Sequence, residues 1–257
     1  MKKNFLTNQR KKTNITYGFF TKNGGYSINN YKSLNCSLSS KDKVSDVKKN
    51  IEIAKKNLAL KKSKLKIVNQ IHSNKVKLIN SNNFSKKYTA DGIITQDKNI
   101  SLGVLTADCC PIFIYDLENS FICCLHAGWK GCLKNIVKSA MEKIQRIQKN
   151  HNKIYAIIGP CLNLENFEVS IDFKKKFILE NNSYKQFFFK IKKSNKYLFD
   201  MRNLIAFQFK KNKIKNIKNI DLDTYKNIDL FFSHRRSTHN NELPTGRMIN
   251  IIGFNNT

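Results

Sequence analysis

The chain has 257 residues, 40% of them hydrophobic, and 47 Lys and Arg against 18 Asp and Glu give it a formal net charge of +29. That length carries one large domain with a sizeable core, and no stretch approaches the ~20 apolar residues of a membrane span. The basic opening, residues 1–12, lacks the apolar run of a secretory signal.

Only six of the cations are Arg, and the Lys are spread along the whole chain beside abundant Asn and Ile. A/T-rich codons encode all three, so compositional drift explains the charge better than nucleic-acid recognition, which gathers Arg and aromatics on one face. The seven cysteines, an odd number, include the vicinal pairs Cys109-Cys110 and Cys123-Cys124. Neighbours along a strand face opposite ways. No disulfide framework is expected, and a reducing cytoplasm fits better.

In chain order, the spacing predicts a helix over 47–60, then strands over 65–68, 76–79, 92–95, 102–105, 112–115 and 121–125. A helix over 133–148 follows, with Ile136, Val137, Ala140, Met141, Ile144 and Ile147 at helical spacing. Next come a strand over 154–158, a helix over 171–179, a strand over 187–191 and a helix over 201–210 with Asp200 as its N-cap. Residues 211–219, basic and Asn-rich, read as solvated surface or loop, and strands close the chain over 230–233 and 248–252. No linker or repeat divides the chain, so a single domain over 1–257 is expected. Strands arrive consecutively rather than in strict alternation with helices, which argues for an α+β layer architecture and against a doubly wound sheet.

Three stretches carry the chemistry. Gln70-Ile71-His72-Ser73, Asp108-Cys109-Cys110-Pro111 and His126-Ala127-Gly128-Trp129-Lys130-Gly131 each place a metal-capable side chain at the end of an apolar run. Two imidazoles and a thiolate suit zinc, and three protein ligands leave a position for water or substrate. His72 taken alone reads more readily as a structural histidine than as a ligand. Cys110 is as good a candidate as Cys109, Cys124 shares strand parity with His126, and Asp108 is placed to orient a ligand. The glycines around Trp129-Lys130 mark a strand-to-helix turn of the kind that binds anions. Phe232-Ser233-His234-Arg235-Arg236 and Thr245-Gly246-Arg247 gather three of the six Arg, which suggests bidentate contacts to phosphate or carboxylate. His234 and His239 are poorly spaced for one strand face and are not read as ligands.

In this order the motifs resemble the YfiH/laccase-domain family, also labelled multicopper polyphenol oxidase, peptidoglycan editing factor or purine nucleoside phosphorylase. Tyr17-Gly18-Phe19-Phe20-Thr21, Gly24-Gly25-Tyr26-Ser27, Ser33-Leu34-Asn35, Val47, Asn50, Ala90-Asp91-Gly92 and Gly159-Pro160 extend the resemblance over nearly the whole chain. It implies a mixed β-sheet sandwich flanked by helices. It implies metal ligands and catalytic groups at His72, Cys109 and His126, choosing Cys109 over Cys110. Substrate or phosphate contacts are implied at Ser27, Asn35, Lys130, Arg235 and Arg247. The cofactor would be Zn2+, or copper in some members. The activity would be phosphorolysis of adenosine or inosine to free base and ribose 1-phosphate, with adenosine deamination and methylthioadenosine phosphorolysis in the same repertoire.

The sequence departs from the family pattern at Lys130 (usually Arg), His234 (usually Tyr), Asp223 (often Cys) and Ile51 (usually basic), which bears on substrate preference. The rival readings are a metal-free thiolate enzyme with His126 activating Cys109, a hydrolase editing mis-built peptidoglycan precursors, and a basic nucleic-acid-binding protein. Copper-dependent phenol oxidation is weak, since one His-Cys-His set does not supply several copper sites.

Overall fold

The structure, a computed structural model, describes residues 5–7 and 13–255; most of the basic opening lies outside them. Two large sheets pack face to face. The five-stranded sheet has the order β1 (Phe5–Leu6), β2 (Ile15–Phe20), β14 (Met248–Phe254), β6 (Ile100–Thr106), β3 (Lys64–Ile67). The six-stranded sheet runs β13 (Asn216–Asn219), β9 (Ile154–Ile158), β7 (Cys110–Asp116), β8 (Ile122–Ala127), β5 (Gly92–Thr95), β4 (Val76–Ile79). Both mix parallel and antiparallel pairs.

Period-two alternation fills the space between the sheets. Tyr17 and Phe19 of β2 meet Phe113 and Tyr115 of β7, with the Phe19 and Phe113 rings stacked at 4.4 Å. Each such side chain, once buried, contributes about 1.5–3 kcal/mol. The outer face of the five-stranded sheet is covered by α1 (Val44–Asn57), whose Val47, Ile51, Ala54 and following Leu58 recur at helical spacing. The outer face of the six-stranded sheet carries α2 (Trp129–Leu133), α3 (Ile136–Ile144), α4 (Ile171–Glu180), α5 (Met201–Lys211) and a small antiparallel sheet of β10 (Glu168–Ser170), β12 (Lys196–Phe199) and β11 (Phe188–Lys190). The expected α+β sandwich flanked by helices is the observed one. Asp200 caps α5 as predicted, its Oδ1 accepting from the Asn203 N–H at 3.0 Å.

Two local expectations fail for identifiable reasons. The helix expected over 133–148 is broken at Asn135, which sits at φ 52 and caps α3 by accepting from the Lys138 N–H. The apolar run 230–233 is not a strand. Phe231 and Phe232 plug a small cluster with Ala107 and Met248, and Ser233 caps α6 (His234–His239). Residues 211–219 are mostly solvated, as expected, although Ile214 is buried and β13 pairs with β9 at the sheet edge, where one open rim tolerates Lys and Asn. Among the described residues no helix is long and apolar enough to cross a membrane.

Candidate metal centre

Strand register assembles the centre. In the β7–β8 pair Cys110 lies opposite Ala127 and Pro111 opposite His126, so Cys109, one residue before β7, comes beside His126. On the other side of β8, Gly92 of β5 lies opposite Leu125, which brings Asp91 to His126; the His126 N–H donates to the Asp91 carbonyl at 2.7 Å. β4 runs parallel to β5 with Val76 opposite Gly92, so the chain leading into β4 passes over Asp91.

The Asp91 carboxylate gathers that connection. The N–H groups of Ile71, His72 and Ser73 and the Ser73 hydroxyl donate to it, at 3.3, 2.9, 2.6 and 2.7 Å. His126 Nδ1 donates to its Oδ1 at 2.8 Å, which turns Nε2 toward the centre. Burial pushes the Asp91 carboxyl up, but these bonds from His126 and Ser73 outweigh it and hold the pKa at about 2. His72 is at φ 59 and Asp108 at φ 85. Such left-handed backbone costs about 1–3 kcal/mol per non-glycine residue, offset at His72 by its bond to Asp91.

His72 Nε2 lies 3.7 Å from Cys109 Sγ, the two imidazole rings stand edge to face at 4.9 Å, and one donor atom from each of His72, Cys109 and His126 falls within 4.8 Å of the others. Zn–N bonds of about 2.0–2.1 Å and Zn–S bonds of about 2.3 Å place tetrahedral donors about 3.4–3.8 Å apart. The three side chains fit such an ion with small adjustment. Burial pushes the Cys109 thiol up, yet the His126 charge and hydrogen bonds from both histidines bring it down to about 6. Burial pulls His126 down, yet the Cys109 and Asp91 charges and hydrogen bonds raise it to about 9. Without metal the pair is therefore thiolate and imidazolium at neutral pH.

The rival thiols stay out. Cys110 is fully buried with its Sγ toward the Gly159 carbonyl, and Cys124 lies between the sheets, 3.9 Å from the Asn250 carbonyl. Burial raises both thiols well above the ordinary value. Asp108 is not the orienting carboxylate; its oxygens accept from the Thr224 hydroxyl and the Arg235 N–H. That task falls to Asp91, which the sequence reading did not single out. The available signal was a carboxylate in the apolar run Ala90–Thr95, since a buried charge requires partners.

The donors open into a cleft of about 500 Å³ with an apolar floor of Ile51, Ile67, Val68 and Leu105 and with His234 and Arg247 on its wall. Of the expected substrate contacts, only Arg247 lines it. Ser27 is buried and accepts from the Asn50 amide. Asn35 is fully buried and holds the cleft wall from behind, its Oδ1 accepting from the N–H groups of Ser37 and Arg247. Lys130 is exposed, with its Nζ 5.5 Å from the Trp129 ring centre, outside the cleft wall. Arg235 donates to the Asn166 and Glu168 carbonyls and lies over Phe167. The strand-to-helix turn leads into α2, which spans five residues. Its Gly128 is demanded by close approach, as an added Cβ would lie 2.7 Å from His72 Cδ2 and 3.0 Å from Cys109 Sγ. His239, 3.1 Å from the Tyr225 hydroxyl, is not part of the centre.

Solved structures of the same architecture place this sandwich in the YfiH class. The protein NMB0706 of Neisseria meningitidis superposes with a TM-score of 0.86 at 27% identity, covering 98% of this chain and 99% of that one. YfiH of Bacillus licheniformis gives 0.84 at 29% identity, covering 93% and 92%. Residues 16–255 match the family described as multi-copper polyphenol oxidoreductase laccase, and the chain belongs to that family. Its relatives include a purine nucleoside phosphorylase of Rickettsia conorii, 35% identical over 187 residues (72% of this chain, 76% of that protein). The purine nucleoside phosphorylase YlmD of Bacillus subtilis is 31% identical over 266 residues (96% and 91%).

Proposed function

We propose that this protein is a zinc-dependent purine nucleoside phosphorylase whose centre is His72, Cys109 and His126. The observation that carries the reading is the convergence of these three donors on one point at the mouth of an apolar cleft, in a chain whose relatives bear that name. The apolar floor suits a purine face, and Arg247 suits phosphate. In the reaction a phosphate oxygen bonds to the ribose anomeric carbon as the bond to purine N9 breaks. The purine leaves with the electron pair and takes up a proton. A bound metal ion supplies a Lewis acid that stabilises developing negative charge. Once His126 gives up its Nε2 proton, Asp91 holds the remaining proton on Nδ1 and leaves Nε2 for coordination. The same centre would serve adenosine deamination and methylthioadenosine phosphorolysis, both measurable on one preparation.

Metal-loaded protein is expected to release hypoxanthine from inosine only when phosphate is present. Cys109→Ala is expected to lose the metal and to lower turnover at least 100-fold. Normal metal content and turnover in that variant would remove the proposal. A metal-free thiolate enzyme would instead keep its activity through chelation.

Metal capture should depend on pH in a defined direction. His126 must give up its proton between neutrality and about 9, and Cys109 does so near 6. Apparent affinity is expected to rise about tenfold per pH unit from 6 to 9, more steeply below 6, and to level above 9. Calorimetry at pH 7.5 in buffers of different ionisation enthalpy should count about one proton released. A count of zero would mean that His126 is neutral before metal binds.

A further inference from the structure

Beside the cleft over the metal centre, with His234 and Arg247 lining both, lies a second lobe of about 520 Å³. The two lobes share Ser37, Ser39, His234 and Arg247. The first has the apolar floor and the three donors. The second adds Ser40, Lys41 and Thr245 beside Tyr31, Leu243 and Pro244, and no carboxylate lines it among the described residues. We infer that this second lobe is a subsite for an inorganic phosphate dianion, with Lys41 and Arg247 as its cationic walls. The inference rests on the phosphorolytic reading for its place in the reaction but not for the binding itself.

Three observations support it. Arg247 donates through Nη1 to the Thr245 and Gly246 carbonyls, while its Nη2 and Nε make no hydrogen bond among the described residues. A half-buried guanidinium with idle donors is a standing site for an anion, which it binds in a fork. Asn35 fixes the lobe from behind. It accepts from the Ser37 and Arg247 N–H groups and donates to the Ser40 hydroxyl at 3.0 Å and to Asp42 at 2.8 Å. That last bond turns the nearest acid in sequence toward Asn35 rather than the lobe. Lys41 is exposed at the rim, its N–H anchored on the Tyr31 hydroxyl at 3.2 Å, and its ammonium pairs with no carboxylate among the described residues. In a chain of net charge +29, most lysines face water. This one borders a cavity beside the second cation and the metal centre.

The arrangement separates the two substrates. On this reading the purine takes the apolar floor and phosphate takes the adjoining lobe, with Arg247 lining both. The test measures binding of inorganic phosphate alone to the full-length, metal-loaded protein by calorimetry, with sulfate and chloride as comparison anions. Lys41→Gln, an exposed substitution, is expected to weaken phosphate binding about tenfold. The KM for phosphate should rise similarly, with the KM for inosine unchanged. Equal phosphate affinity in wild type and Lys41→Gln would overturn the subsite. So would a rise in the inosine KM alone. If phosphate binds in a Lys41-dependent way but no nucleoside is cleaved, the anion subsite stands and the phosphorylase reading falls.

Discussion

Asp91→Ala is expected to abolish metal binding and to destabilise the protein by about 3–5 kcal/mol. The carboxylate is fully buried and accepts from three consecutive backbone N–H groups, one hydroxyl and the His126 ring. Its removal strands the buried His126 ring and takes the acceptor from four part-buried donors at once, and leaving a single buried donor unsatisfied costs about 1–3 kcal/mol. It also frees His72 from left-handed backbone that nothing else favours. Loss of a carboxylate that orients a metal-binding histidine costs about 10–100-fold in affinity, and here two of the three ligands depend on it. Urea unfolding of the metal-free protein and metal titration should both register the change. A metal affinity within twofold of wild type would show that His72 and His126 find their positions without Asp91. Asp91→Asn should fall between the two, since it keeps an acceptor but loses the charge.

Gly128→Ala separates site geometry from stability. Gly128 lies at φ −78 and ψ 173, an extended conformation open to any residue, so the added methyl strains no backbone. It pushes on His72 and Cys109 directly. Metal affinity is expected to fall about 10–100-fold, while the metal-free protein loses no more than about 1–3 kcal/mol, the usual range for overpacking. A variant that binds metal normally would mean that the ligands sit farther from Gly128 when loaded.

The candidate donors were partly readable in the sequence, because His72, Cys109 and His126 each end an apolar run. What joins them was not. Cys109 and Cys110 are neighbours on a chain whose residue faces alternate, and only the pairing of Pro111 with His126 settles which thiol turns to the centre. Asp91 escaped for the same reason, since its partners lie 18 to 35 residues away across two strand pairings. Arg235 carried the right charge, but the carbonyls of Asn166 and Glu168, nearly seventy residues away in the chain, claim it, and Lys130 turns toward the ring of its neighbour Trp129. The long strands were legible from their composition. β10 and β12 were not, being short and partly polar, and Phe231-Phe232 imitated a strand because a loop that plugs a core must also be apolar.

The position of β14 has a consequence for biosynthesis. It lies between β2 and β6, pairing residue 254 with residue 15. Both neighbours leave the ribosome long before their shared partner exists. Until then they expose two open edges and much of the inter-sheet core, in a basic nascent chain that anionic ribosomal RNA attracts. The sandwich closes only when residues 248–254 are released, and the Arg247 wall is set in place by that same late step.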